Sequence, residues 1–278
     1  MSVLNFKPTI WAAGIIQERD KFLLSRIVCN TDGEGDVSNM GDQVIFPGLV
    51  DPTVSAYTGT STYEDLDDAA VTMLLDQANY FAVKIDDVDA VQAKGNILDA
   101  QVKRGAQKLG ETADEYVFGQ YGQANLAVTD TTCDTSTILS DISEAGRKLS
   151  EANVPMQGRW MVIAPWVAEK LELAGIVFSI KEGTDVGSGI QWATKTGFTL
   201  YVSNSVTNPT GSTGHVTYCL AGGADSIAYY DQLVKTKAES LEGSFADGVK
   251  SLHVYGTKVV RPDELVSLAL TYAAETAI

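Results

Sequence analysis

Phe245-Ala-Asp-Gly-Val-Lys-Ser-Leu-His-Val-Tyr-Gly-Thr-Lys-Val-Val-Arg-Pro-Asp-Glu-Leu-Val-Ser-Leu-Ala-Leu270 is the stretch on which the reading of this chain turns. It reads as two apolar strands with a break at Arg261-Pro262-Asp263. Val266, Leu268 and Leu270 alternate with Ser267 and Ala269, the period of a half-buried strand. Pro262 has no N–H to give a ladder and fixes its own φ, so the chain turns there.

Upstream, short strands and helices follow one another. Residues 198–202, 215–221 and 226–230 read as strands, and residues 235–241 as a polar segment of mixed spacing. Residues 175–197 are glycine-rich and read as a loop. Arg159-Trp-Met-Val-Ile-Ala-Pro165 reads as a buried strand ended by proline, with a helix over 166–173. Ser136 or Thr137 is expected to cap a helix over 138–152, with Ile138, Ile142, Ala145 and Leu149 on one face. Asn153-Val-Pro155 stops it.

Residues 86–122 carry the longest helical pattern. Val88, Val91, Leu98, Val102, Leu109, Ala113 and Tyr116 keep to one face. Gly95 and Gly105 lie beside that stripe, where a missing side chain admits a sheet; each costs about 1 kcal/mol in a helix. Before it, Tyr80-Phe-Ala-Val-Lys-Ile85 alternates as a strand. Residues 31–62 are rich in turn formers around two short strands, 42–50 and 54–57, with Pro47 marking an edge. Residues 1–30 form an apolar arm without a local partner.

The 278 residues suffice for a sizeable core. Net charge is −16, so a general positive field for nucleic acid is excluded. Residues 1–30 are mildly basic, whereas 31–100 set only Lys84 and Lys94 against many acids. Cys29, Cys133 and Cys219 are odd in number and widely spaced, which favours buried thiols in a reducing compartment. No signal peptide and no membrane span is expected.

Three stretches resemble tailed-bacteriophage major capsid (coat) proteins of the Hong Kong 97 type. They are Ala82-Val-Lys-Ile-Asp-Asp-Val-Asp89 entering the helix, Val154 through Pro165, and Phe245 through Pro262. The resemblance covers roughly residues 75–275. It implies an α+β fold with an N-arm (1–30), an extended β-hairpin loop (31–79), a peripheral strand and long spine helix (80–128), an axial domain (129–244) and peripheral closing strands (245–278). No long helical segment precedes the arm, so a fused scaffolding domain is expected to be absent or already removed.

The implied function is self-assembly into an icosahedral head shell around double-stranded DNA, without tight binding to it. Hexamers and pentamers, a scaffolding protein and a portal are the implied partners. The implied location is the virion, assembled in the bacterial host cytoplasm. Encapsulin compartments share the fold, and an acidic hydrolase using Asp and Glu is the reading from another class. Trp11, Arg26, Phe46, Pro47, Tyr57, Arg159, Arg261 and Pro262 are the expected assembly contacts. Arg159 is expected to be buried with a charged partner.

Motifs for other chemistry fail. Asn30-x-Asp32-x-Glu34 starts like a calcium loop, but the twelfth position is Gly41. His215 and Cys219 share a strand face too far apart to chelate well, and no paired CxxC or HxxxH accompanies them. The stretch from Gly183 to Gly189 is neither a phosphate loop nor a dinucleotide fingerprint. Asp65, Asp67 and Asp68 have no partner motif. No serine sits in a nucleophile elbow. No catalytic residue, metal or cofactor is expected.

Overall fold

The computed structural model describes residues 23–32, 43–46, 56, 70–86, 97–175, 190–191, 197–240 and 246–274. In chain order the elements are α1 (Ser25–Val28), β1 (Gln43–Phe46), β2 (Val71–Leu74), β3 (Gln77–Asp86) and α2 (Ile97–Phe118). Then come β4 (Leu126–Cys133), α3 (Ile138–Glu151), β5 (Trp160–Ile163), α4 (Pro165–Leu173), β6 (Ile190–Gln191) and β7 (Thr199–Val202). The chain continues through β8 (Val216–Gly222), β9 (Ile227–Ser240), β10 (Ala246–Val259) and β11 (Leu265–Tyr272). No described helix is long and apolar enough to cross a membrane.

The strands form a two-stranded sheet β1-β2, a three-stranded sheet β3-β10-β9 and a six-stranded sheet β4-β11-β8-β5-β7-β6. The break at Arg261-Pro262 is present: Pro262–Glu264 is a single 3-10 turn between β10 and β11. The two strands it joins go to different sheets, so Pro262 marks the crossing point of the fold.

Three sequence expectations need correction. β11 is central rather than half-buried. It lies parallel to β4 and antiparallel to β8, and Leu265, Val266, Ser267 and Leu268 are all buried. Alternation in side-chain type therefore understated burial: Ser267 and Ala269 are small enough for a covered face. Second, β9 runs on through Ser240, across the segment read as merely polar. Its backbone is laddered to β10 from Ile227 to Ser240, and ladder bonds do not require apolar side chains. Third, the expected boundary between residues 244 and 245 does not follow the sheets. β9 belongs with β10 and β3, and β11 belongs with β4 and β8.

The main core lies between the six-stranded sheet and α3. Ile138, Ile142, Ala145 and Leu149 face it, all at 0% exposure, the face read from their spacing. Expected hydroxyl capping of α3 is replaced by an Asp134 turn: its Oδ1 accepts from the Ser136 and Thr137 N–H groups. The helix ends as Asn153-Val-Pro predicted, and the mechanism is visible. Asn153 takes φ 60°, its N–H donates to Ser150 O, and Val154 N–H donates to Leu149 O. That is the left-handed cap pattern that satisfies the last helix carbonyls.

α2 is unbroken across Gly105. A Cβ there would lie 2.7 Å from the Phe81 ring, so glycine lets the helix press on β3 as anticipated. Gly256 on β10 is tighter, because its Cβ would meet the Leu74 carbonyl oxygen at 2.4 Å. Backbone cannot swing aside as a side chain can. Gly256→Ala is expected to cost about 1–3 kcal/mol in denaturant unfolding of the isolated subunit. An unchanged midpoint would contradict the close approach.

Candidate functional site

The segment around α1 is tied to the rest of the chain on three sides. Asp114 of α2, at 0% exposure, accepts from Leu24 N–H at 2.8 Å and from Ser25 N–H at 3.0 Å. These are the free donors at the start of α1, so one carboxylate caps that helix from far along the chain. Burial pushes the Asp114 carboxyl up, and the bonds from Ser25 and Leu24 pull it back down. On the second side, Asn30 N–H donates to Ile227 O at 2.8 Å and Asn30 O accepts from Tyr229 N–H at 3.0 Å. On the third, Arg26 pairs with Asp231. Asp231 Oδ2 also receives the Tyr229 hydroxyl at 3.1 Å and lies 3.0 Å from His253 Nε2. His253 sits at the bulge where the β9–β10 register shifts. This arrangement fastens; it does not offer an exposed nucleophile beside a base.

The β1-β2 pair is two-faced. Val44 pairs with Met73 and Phe46 with Val71, and Val44, Met73 and Phe46 pack with Tyr230, Val254 and Ala228. The Phe46 ring lies 5.9 Å from the Tyr230 ring. On the other face Ile45 is 61% exposed and Leu74 50% exposed. Tyr80, on the outer face of β3, is 73% exposed. Water gains nothing from such side chains, so they are the described apolar surface best suited to a neighbour.

Arg159 is not a surface contact. It is 1% exposed, and its described acceptors are oxygens in and just beyond the last turns of α3. Its Nη2 donates to Val154 O at 2.6 Å and to Ser150 Oγ at 3.2 Å, its Nη1 to Gly146 O at 3.2 Å, and its Nε to Pro155 O at 3.0 Å. A cation at a helix C-terminus meets the negative end of its dipole. Burial pushes the guanidinium pKa down.

The remaining candidates are scattered. Arg261 is exposed and donates to Glu264 at 2.7 Å within the 3-10 turn. Pro262 opens that turn, and its carbonyl accepts from Asn125 N–H. Trp11, Pro47, Tyr57, Glu34, Asp65, Asp67, Asp68 and the 183–189 loop lie outside the described residues. Asp32 is exposed, in a turn on Asn30 Oδ1. His215 is exposed and Cys219 is buried, so they do not meet.

Two acidic positions escaped the sequence reading. Asp114 lies three and four residues before Val117 and Phe118, on their buried face, and that spacing was a usable signal. Asp141 follows Ile138 in the first turn of α3 and is 8% exposed. Burial and the nearby Asp130 push its carboxyl up to about 7. Burial likewise pushes the Cys133 thiol up to about 12.

No protein-family model matches the sequence, and no curated protein matches it. Solved structures do match. A structure from Mycobacterium phage Che8 is 25% identical, with a TM-score of 0.77 over 96% of this chain and 98% of its own. The capsid structure of cyanophage P-SCSP1u is 14% identical, with a TM-score of 0.72 over 97% and 94%. The chain has the tailed-phage capsid fold. The mature capsid of bacteriophage PhiM1 agrees, at 13% identity and a TM-score of 0.70 over 96% and 92%.

Proposed function

We propose that this chain is the major capsid protein of a tailed phage and self-assembles into an icosahedral head shell enclosing double-stranded DNA. The observation that carries the reading is likeness to phage capsid structures over nearly the whole of both chains. Its work is contact rather than turnover. Apolar burial between copies supplies cohesion, and one sequence serves hexameric and pentameric settings. With a net charge of −16, the subunit gains no counterion release from DNA, so it encloses DNA without gripping it.

The finer anatomy follows the same reading. The segment before α1 is the N-arm, β1-β2 belongs to the extended loop, and α2 is the spine helix. The β3-β10-β9 sheet serves as the peripheral domain and the six-stranded sheet as the axial domain. A scaffolding protein and a portal are the further partners, and assembly takes place in the host cytoplasm. Trp11, Arg26, Phe46, Pro47, Tyr57, Arg261 and Pro262 are retained as contact candidates; burial supports removing Arg159 from that set.

Ile45→Asp combined with Leu74→Asp tests the apolar face. Both side chains are half-exposed or more, so the lone subunit should lose no more than about 0.5 kcal/mol of stability. Particle yield by light scattering is expected to fall at least about tenfold, since each charge would be buried at a contact. Wild-type yield in the double variant would count against that face as a contact.

A further inference from the structure

We propose that Asp130, Cys133 and Asp141 form a binding site for a divalent transition-metal cation of the zinc class. The inference does not rest on shell assembly. One carboxylate oxygen each from Asp130 and Asp141 and the Cys133 sulfur all lie within 4.8 Å of one another.

The fold takes trouble to bring them together. Asp130 and Cys133 are three apart on β4, which on a regular strand would put them on opposite faces. The β4–β11 register slips there: Leu270 opposes Asp130, and Tyr272, two residues on, opposes Cys133. The extra residue on β4 returns Cys133 to the face of Asp130. Asp141 reaches the same point from the first turn of α3.

Asp130 is held from behind. Its Oδ1 accepts from Thr132 N–H at 2.8 Å and its Oδ2 from the Thr137 hydroxyl at 2.7 Å. Such outer bonds orient metal-ligating carboxylates. Cys133 is fully buried. The independent sign is Asp141: at 8% exposure it is more than nine-tenths buried, yet its Oδ2 has no hydrogen-bond partner. A buried carboxylate with an unpaired oxygen, beside a second carboxylate and a thiol, wants a cation. Two oxygens and one sulfur suit zinc rather than calcium or magnesium, which take oxygen alone. Shifts of less than about 1 Å bring the three donors to about 2.0–2.3 Å from one ion, with water completing four ligands. On binding, the Cys133 thiol gives its proton to water. The nearby Lys170 ammonium donates to Ala273 O at 3.0 Å.

Cobalt(II) titrated into the metal-stripped full chain tests this. One ion per chain and a thiolate-to-cobalt charge-transfer band are expected, displaced by zinc. Cys133→Ser should abolish the band, and Asp141→Asn should weaken uptake at least about tenfold. Circular dichroism checks that both variants fold. Wild-type protein that takes up no cobalt, or takes it up without a thiolate band, overturns the site whatever the variants do. The gap is then filled by a proton shared between Asp130 and Asp141.

Discussion

Arg159→Ala is expected to lower the unfolding free energy of the unassembled subunit by about 3–5 kcal/mol in urea. The side chain is 1% exposed and donates to the carbonyls of Gly146, Val154 and Pro155. Alanine leaves these buried acceptors unpaired and opens a cavity beside the end of α3. Arg159→Lys should recover only part of the loss, because an ammonium cannot span oxygens that a planar fork reaches at once. Asp32→Asn, at an exposed turn, serves as the silent comparison. A cost below about 1 kcal/mol for Arg159→Ala would mean that water replaces the guanidinium freely.

Asp114→Ala is expected to cost about 2–3 kcal/mol and to loosen the hold on α1. Two backbone donors of α1 lose their acceptor at once, and no solvent stands in at a position with 0% exposure. Hydrogen exchange should show it locally: amides of residues 24–30 should exchange at least about tenfold faster, while those of β11 keep their protection. Asp114→Asn retains one carbonyl acceptor and should fall between. Unchanged exchange across 24–30 in the alanine variant would show that the Asn30 ladder and the Arg26–Asp231 pair suffice alone.

Features governed by neighbours along the chain were legible in the sequence. Pro262 lacks an N–H whatever surrounds it, so the turn between β10 and β11 could be read directly. The spacing of Ile138, Ile142, Ala145 and Leu149 gave the buried face of α3, and Asn153 before Val-Pro gave its end. Gly105 was rightly taken as a place of close approach. Features governed by distant pairing were not legible. Whether β11 lies in the sheet of β10 or that of β4 depends on contacts more than a hundred residues apart, and alternation carries no such information. The tail of β9 is polar because its partner supplies the ladder, so a hydrophobicity pattern misses it. Arg159 was rightly read as buried, but the carbonyls that receive its guanidinium follow from the path of the chain beyond α3, which a sequence does not show. For Asp130, Cys133 and Asp141, a strand bulge brings together residues whose spacing argues against it. The shared fold was recognisable from three short stretches because those stretches hold the turns and strand ends that fix the chain path.

Electron microscopy of the purified chain, expressed alone and together with a candidate scaffolding protein, decides whether it builds shells. Closed icosahedral shells built of pentamers and hexamers are expected in at least one of the two preparations. Only monomers or small soluble oligomers in both, from protein that is folded by circular dichroism, would contradict it.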